Sequence, residues 1–303
     1  MDEVKKVLVY GAIGSQQNPV IGLLRKRQAD VYAATQSKAK FDQLKQLGAT
    51  PVIGRMEDLE ELRKITKGMD WVSFVIPASL GNPWDGFSYS KNIIDAAKDN
   101  NIKHIVWNTS GYFAPFKTGN PISDVKLDVK EYLEKSGVQY TIIESNIYLE
   151  NLLAPYTTDY VKSERKLAYP LPAEMSVGWI ATKDVAAMAV AAFGNPEALG
   201  KIIRVSGMDN LNGGELAKKI ADGLGEALTY YALPPKKFGD IMSKIMDETS
   251  AKGIELYYQS IADAAPNYPA MHTTNMPAII AQLNVTLTPI EEWAKLHKDI
   301  FIE

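Results

Sequence analysis

The chain has 303 residues, 33 basic and 36 acidic side chains, and hydrophobic residues at 46% of positions. That fits one large globular domain, or a main domain with a smaller lobe, and gives ample apolar residues for a core. The absence of cysteine excludes disulfides, a thiol nucleophile and a thiolate metal site. The three histidines, His104, His272 and His297, are too scattered for a zinc site or a His-based triad. A net charge of −3 with dispersed basic clusters points to neither nucleic acid nor membrane as partner.

Val7 to Tyr10 is a short β-branched run, the mark of a buried strand. Gly11 ends it and Gly14 follows three residues on. A helix is expected from Asn18-Pro19, with Asn18 as N-cap and Pro19 as the first helical residue. Strand, glycine turn and helix start are the parts of a phosphate cradle. A full dinucleotide fingerprint has a third small residue where this chain has Gln17. An ordinary strand-to-helix turn is the competing reading.

Further strands are expected at Val31 to Thr35, Thr50 to Ile53, Trp71 to Ile76, Ile102 to Trp107 and Val138 to Ile143. Helices fall between them: Lys38 to Leu47, the face Leu59, Leu62 and Ile65, Ser88 to Asn100, and Asp124 to Ser136 closed by Gly137. The strands are continuous apolar runs that alternate with helices. This is the pattern of a parallel sheet covered on both faces, an α/β, Rossmann-like, doubly wound architecture. Ligands in such sheets bind at the carboxyl ends of the strands.

The second half is less regular. Asn151 to Glu164 reads as helix and connector, Tyr169 to Ala173 as loop, and Val177 to Ala181 as a strand. Asp184 to Phe193 reads as a helix and Lys201 to Val205 as a strand. Leu211 to Leu224 is a helix with an Asn212/Glu215 capping pair. Leu228 to Ala232 is a short strand, Pro234-Pro235 opens a helical region, and a last helix runs to His297. Asn267 to Pro277 is a candidate mobile loop. The expected division is a dinucleotide-binding domain over 1–155, rejoined by 175–210, and a smaller mixed α/β, mostly helical substrate lobe over 156–303.

The residues after each strand carry the functional reading. After the second strand, Gln36, Ser37 and Lys38 include no acid to bind a ribose 2′-hydroxyl, which favours NADP over NAD. Lys38 as a solvated helix residue is the competing reading. Arg55 after the third strand would stack on adenine, take a 2′-phosphate, or stand in solvent.

From Lys5 to about Phe238 the chain resembles the NmrA-like branch of the atypical short-chain dehydrogenases. Four stretches carry this: Gly11 to Val20, Lys103 to Ser110 (KHIVWNTS), Lys126 to Asn151 (KLDVKEYLEKSGVQYTIIESNIYLEN) and Trp179 to Ala187 (WIATKDVAA). The resemblance implies that Gly11, Gly14, Ser15 and Gln16 hold a pyrophosphate and that Gln36 stands at the 2′-phosphate. It implies that Pro77, Ala78, Thr109 and Ser110 line the ribose and nicotinamide. It puts Lys126 on the nicotinamide ribose, with Asn146, Ile147 and Tyr148 beside the ring and substrate. The chain departs from the family at Gln17, Gln36, Arg55 and Glu144-Ser145, and has Ile122 where a Tyr-x-x-x-Lys pair would put its tyrosine.

Within this frame Lys126 is the expected source of charge stabilisation. Tyr148 and Tyr112 are candidate proton donors, or else aromatics of the pocket or core. The tyrosines of the second half, Tyr230, Tyr231, Tyr257, Tyr258 and Tyr268, wall a substrate pocket or pack a core. The expected protein is a cytoplasmic monomer or homodimer that uses NADP(H), with NAD as the alternative, to reduce an apolar carbonyl, quinone or enone small molecule. Two alternatives stand: a catalytically silent NADP-binding redox sensor with a protein partner, and a non-redox isomerase or cyclase.

Overall fold

The structure, a computed structural model, describes residues 4–77, 80, 82–264 and 275–302. The expectations for Ala78, Tyr268, His272 and most of the 267–277 loop lie outside the described residues. The strands in chain order are β1 Lys6–Tyr10, β2 Asp30–Thr35, β3 Thr50–Ile53, β4 Trp71–Val75, β5 His104–Asn108, β6 Tyr140–Ser145, β7 Lys166–Tyr169, β8 Lys201–Val205 and β9 Thr229–Ala232. The α-helices are α1 Asn18–Lys26, α2 Phe41–Gln46, α3 Leu59–Thr66, α4 Asp85–Asp99, α5 Pro121–Ser136, α6 Pro155–Glu164, α7 Thr182–Ala192, α8 Gly213–Leu224, α9 Pro235–Met242, α10 Glu248–Ala264, α11 Met276–Leu283, α12 Ile290–Leu296 and α13 Lys298–Ile302.

The chain divides into two compact units. One comprises Met1–Ser145, Thr182–Arg204 and Ile279–Val285; the other comprises Asn146–Ala181, Val205–Ala278 and Thr286–Glu303. The first stretch of the first unit therefore closes ten residues before 155, and the chain returns to that unit twice, over 182–204 and 279–285.

The first unit holds a seven-stranded sheet in the order β3-β2-β1-β4-β5-β6-β8, with parallel pairing from β3 through β6. The order reverses between β1 and β4, and this switch point is where a Rossmann-like sheet opens a crevice beyond its carboxyl ends. Successive side chains of a strand face opposite ways. Leu8 and Tyr10 of β1 join Phe74 and Trp107 in a core cluster with residues of α3, α4 and α5. On β1 the alternate residues Val7 and Val9 are fully buried outside that cluster, and α1 packs against α7 and β2.

Helix α5 begins at Pro121, three residues before the expected start. Asn120 caps it by accepting from the Ile122 amide at 2.9 Å, and Pro121 fits the first turn. Gly137, with φ +82°, ends it in the left-handed conformation. Lys126 therefore stands in the second helical turn rather than at the helix start.

The second unit is mostly helical, with β7 and β9 paired in parallel as a small sheet. Its core gathers Tyr156, Tyr169, Trp179, Phe238 and Tyr258. The Tyr169 and Tyr258 hydroxyls share a 2.6 Å hydrogen bond, and Asn151 Nδ2 donates to Tyr169 at 3.0 Å. Tyr230 donates to the Leu171 carbonyl at 3.0 Å. Tyr230 and Tyr258 are thus tied into the packing of this unit. Val177 to Ala181 forms no strand: Val177 and Ile180 each make a single bridge, to Leu211 and Tyr148. Close backbone approach explains Gly207, where an added Cβ would lie 2.1 Å from the Trp179 carbonyl oxygen.

Candidate functional site

The turn after β1 closes on itself. Gly14 N donates to the Gly11 carbonyl at 2.9 Å, and the Gln17 and Asn18 amides donate to the Gly14 carbonyl at 3.1 and 2.9 Å. Gly11 has φ +71°, a conformation that glycine adopts without strain. Among the described residues the Ile13 and Ser15 amides enter no backbone hydrogen bond of the turn. Helix α1 starts at Asn18 with Gln17 as its N-cap, one residue before the expected cap.

Gln17 is 1% exposed. Its side chain makes no cap hydrogen bond, and its Oε1 accepts from the Ser73 hydroxyl of β4 at 3.0 Å. The glutamine fills the space between turn and sheet where a third small residue would allow close packing. It does so with a satisfied buried oxygen.

Gln16 reaches one strand further, past β4 to the end of β5. Its Nε2 donates to Ser110 Oγ at 2.6 Å, and Asn108 Nδ2 donates to its Oε1 at 3.2 Å. Asn108 Oδ1 in turn accepts from the Ser110 amide at 2.9 Å. The turn after β1 is thereby stitched to the end of β5. Ser110 has φ +55° and Gly111 φ +124°, two consecutive residues at positive φ. A serine there is uncommon and marks a locally constrained backbone. Thr109 is buried, and its hydroxyl donates to the Gly111 carbonyl at 2.8 Å.

Beside this loop stands a cluster of charge. Lys126 Nζ donates to the Gly111 carbonyl at 3.4 Å. Burial lowers the Lys126 pKa from the ordinary 10.5 to about 8, and the Glu144 carboxylate opposes the fall. Glu144 is itself buried on β6. Burial pushes its carboxyl up, against the pull of Arg204 and then Lys126. Arg204 Nε donates to Glu144 Oε1 at 2.8 Å, and its guanidinium lies 5.0 Å from the Tyr112 ring centre. Burial raises the Tyr112 hydroxyl above its usual value, so it stays a proton donor.

The structure brings Gly11, Gly14, Ser15, Gln16, Ser110, Lys126 and Tyr112 to the carboxyl ends of β1 and β5. Glu144 and Arg204 escaped the sequence-based site. Their signal was a charged residue directly after an isoleucine pair within a strand, Glu144 after Ile142-Ile143 and Arg204 after Ile202-Ile203. Asn146 and Tyr148 belong to the second unit, where both are buried; the Asn146 amide donates to the Val205 carbonyl at 2.9 Å.

At the far end of β2, Gln36 Nε2 reaches Glu57 Oε2 at 3.4 Å. The Arg55 guanidinium is taken by Glu61, at 2.6 and 3.1 Å, and by Asp58 at 3.2 Å. Lys38 is exposed in a short 3-10 turn, and Pro77 is half-buried after β4. Among the described residues no cluster of three or more ligand-type side chains could hold a metal ion, and no helix is long and apolar enough to cross a membrane.

An NAD(P)H azoreductase from Xenophilus azovorans is 26% identical over 97% of this chain and 99% of its own length. The NADP(H) complex of a Citrobacter sp. triphenylmethane reductase superposes with a TM-score of 0.78, at 18% identity, covering 96% of this chain and 99% of that one. An Escherichia coli NADPH-dependent quinone oxidoreductase in complex with NADPH gives 0.77 at 17% identity, covering 96% and 99%. These likenesses support the Rossmann-like fold. The NmrA-like family model matches residues 3–294, and the chain belongs to that family.

Proposed function

We propose that this protein is an NADP(H)-dependent reductase of an apolar, conjugated small molecule: a carbonyl, quinone or enone. The observation that carries the reading is the orientation of Gln17. Its side chain is turned inward onto Ser73, so it does not occupy the outer face of the glycine turn. The Ile13 and Ser15 amides and the α1 N-terminus would hold the pyrophosphate there. The likeness to an azoreductase, a quinone oxidoreductase and a triphenylmethane reductase supports a conjugated acceptor.

The nicotinamide supplies the hydride, and the protein supplies position, charge and a proton. The Gln16–Ser110–Asn108 bonds hold the β1 and β5 ends in fixed register. The Lys126 ammonium would stabilise negative charge developing on the acceptor's heteroatom. With its pKa lowered to about 8 by burial, it could also give up its proton. Tyr112, protonated and near Arg204, is the second candidate donor.

The test is NADPH oxidation, followed by absorbance, with a small quinone, an azo dye and a triphenylmethane dye. Turnover that saturates in both partners is expected. Binding of NADPH without turnover across this panel would transfer the reading to a redox sensor, and absence of NADPH binding would overturn both.

A further inference from the structure

Ser110 is held where a serine rarely stands. Its φ is +55° and that of Gly111 is +124°, so two successive residues take positive φ directly after β5. Such a conformation persists only where the surroundings over-determine it. Here a closed ring of side-chain bonds does so. Gln16 Nε2 donates to Ser110 Oγ at 2.6 Å, Asn108 Nδ2 donates to Gln16 Oε1 at 3.2 Å, and the Ser110 amide donates to Asn108 Oδ1 at 2.9 Å. Ser110 is thus fixed at its amide from within β5, and at its hydroxyl from the turn after β1. The next residue meets the lysine. The Gly111 carbonyl accepts from the Thr109 hydroxyl at 2.8 Å and from Lys126 Nζ at 3.4 Å. A Cβ added at Gly111 would lie 3.7 Å from the same Nζ. All of these residues belong to the first unit.

We propose that Gln16 is a positioning residue for Lys126: its carboxamide holds Ser110 at positive φ and so keeps the Gly111 carbonyl facing the ammonium. The path runs through bonds: Gln16 to Ser110, Ser110 to Gly111 along the chain, Gly111 to Lys126. Without the carboxamide Ser110 relaxes toward the ordinary negative-φ region, and the carbonyl that receives the ammonium turns away. Gln16 also follows Ser15, whose amide would hold the pyrophosphate. The residue that would grip the nucleotide and the one that sets the lysine are therefore neighbours in one turn. What Lys126 is positioned for rests on the reductase reading; the tether does not.

The test compares the parent with Gln16→Leu, Ser110→Ala and Gln16→Glu, as full chains without nucleotide. Mass spectrometry reads two quantities: hydrogen–deuterium exchange of the segment 109–112, and the rate at which acetic anhydride labels Lys126 relative to exposed lysines. Gln16→Leu keeps the bulk and removes both polar ends, and both readings are expected to rise about tenfold, the scale of a lost local restraint. Ser110→Ala cuts the same bond from its other end and should do the same, so either variant suffices if the other does not fold. Together the two substitutions should add little to either alone, because they remove one interaction. Gln16→Glu keeps the length and an acceptor, the Ser110 hydroxyl turns round to donate to it, and both readings stay within about threefold of the parent. Either reading left at the parent's value in Gln16→Leu and Ser110→Ala overturns the proposal and leaves the reductase reading standing. Both readings raised, in a parent that neither binds nor oxidises NADPH, overturns the reductase reading and leaves the tether in place. Where there is turnover, Gln16→Leu should lower kcat about tenfold, with the NADPH dissociation constant within about threefold of the parent. Weakened affinity with kcat unchanged would assign Gln16 to nucleotide binding alone and overturn the proposal.

Discussion

The Oε1 of Gln17 lies 3.0 Å from the hydroxyl of Ser73, which donates to it across 56 positions of sequence. This bond turns the glutamine from an obstruction into a strut between turn and sheet. Gln17→Ala is expected to lower stability by about 1–3 kcal/mol, since it leaves Ser73 unpaired and opens a small cavity. Its effect on the NADPH dissociation constant should stay within about tenfold. Chemical denaturation and fluorescence titration measure the two. A variant that binds NADPH far more tightly than the parent would mean that Gln17 blocks the site.

Lys126→Met removes the ammonium and keeps most of the length of the side chain. The expected loss in kcat is on the order of 10²-fold or more, from charge stabilisation and proton donation. The NADPH dissociation constant should move much less. Stopped-flow measurement of the hydride step separates the two effects, and an undiminished rate would remove Lys126 from the chemistry.

His104 gives a pH dependence with a definite sign. It is 1% exposed, and burial lowers its pKa from 6.5 to about 4. Between these values the unfolded chain binds more protons than the folded one. Stability is therefore full above about pH 6.5 and falls as the pH drops toward 4. The loss from this group alone is on the order of 3 kcal/mol. Urea denaturation at several pH values checks it, and His104→Gln should flatten the slope in this window.

Glu57 bears on the choice of nucleotide. It accepts from Gln36 at the end of β2, where a 2′-phosphate would bring further negative charge. Glu57→Gln is expected to improve the NADPH-to-NADH affinity ratio several-fold, up to about tenfold. Parallel titrations with the two nucleotides give the ratio, and no change would place the 2′ group elsewhere.

The sheet was legible because its strands are unbroken apolar runs between helical periods; β3 and β8 fall where the residues alone place them. The Asn212–Glu215 capping box was legible for the same local reason. The start of α5 extends beyond the expected one although Asn120-Pro121 carries both a cap and a first-turn proline, because the apolar face Val125, Val129 and Leu133 begins only at the second turn. Strand β7 was missed because KLAY is short and finds its partner in β9, some sixty residues away. The direction of Gln17 and the Glu144–Arg204 pair depend on contacts across 56 and 60 positions, and no local pattern announces them.

Equilibrium titration of the purified chain with NADPH, followed by quenching of tryptophan fluorescence, bears most directly on the central claim. A glycine turn with its outer face clear predicts saturable binding with a dissociation constant in the micromolar range or below, on the order of −8 kcal/mol. It also predicts that Gly14→Val weakens binding severely while the chain remains folded. No saturation at millimolar NADPH would contradict it.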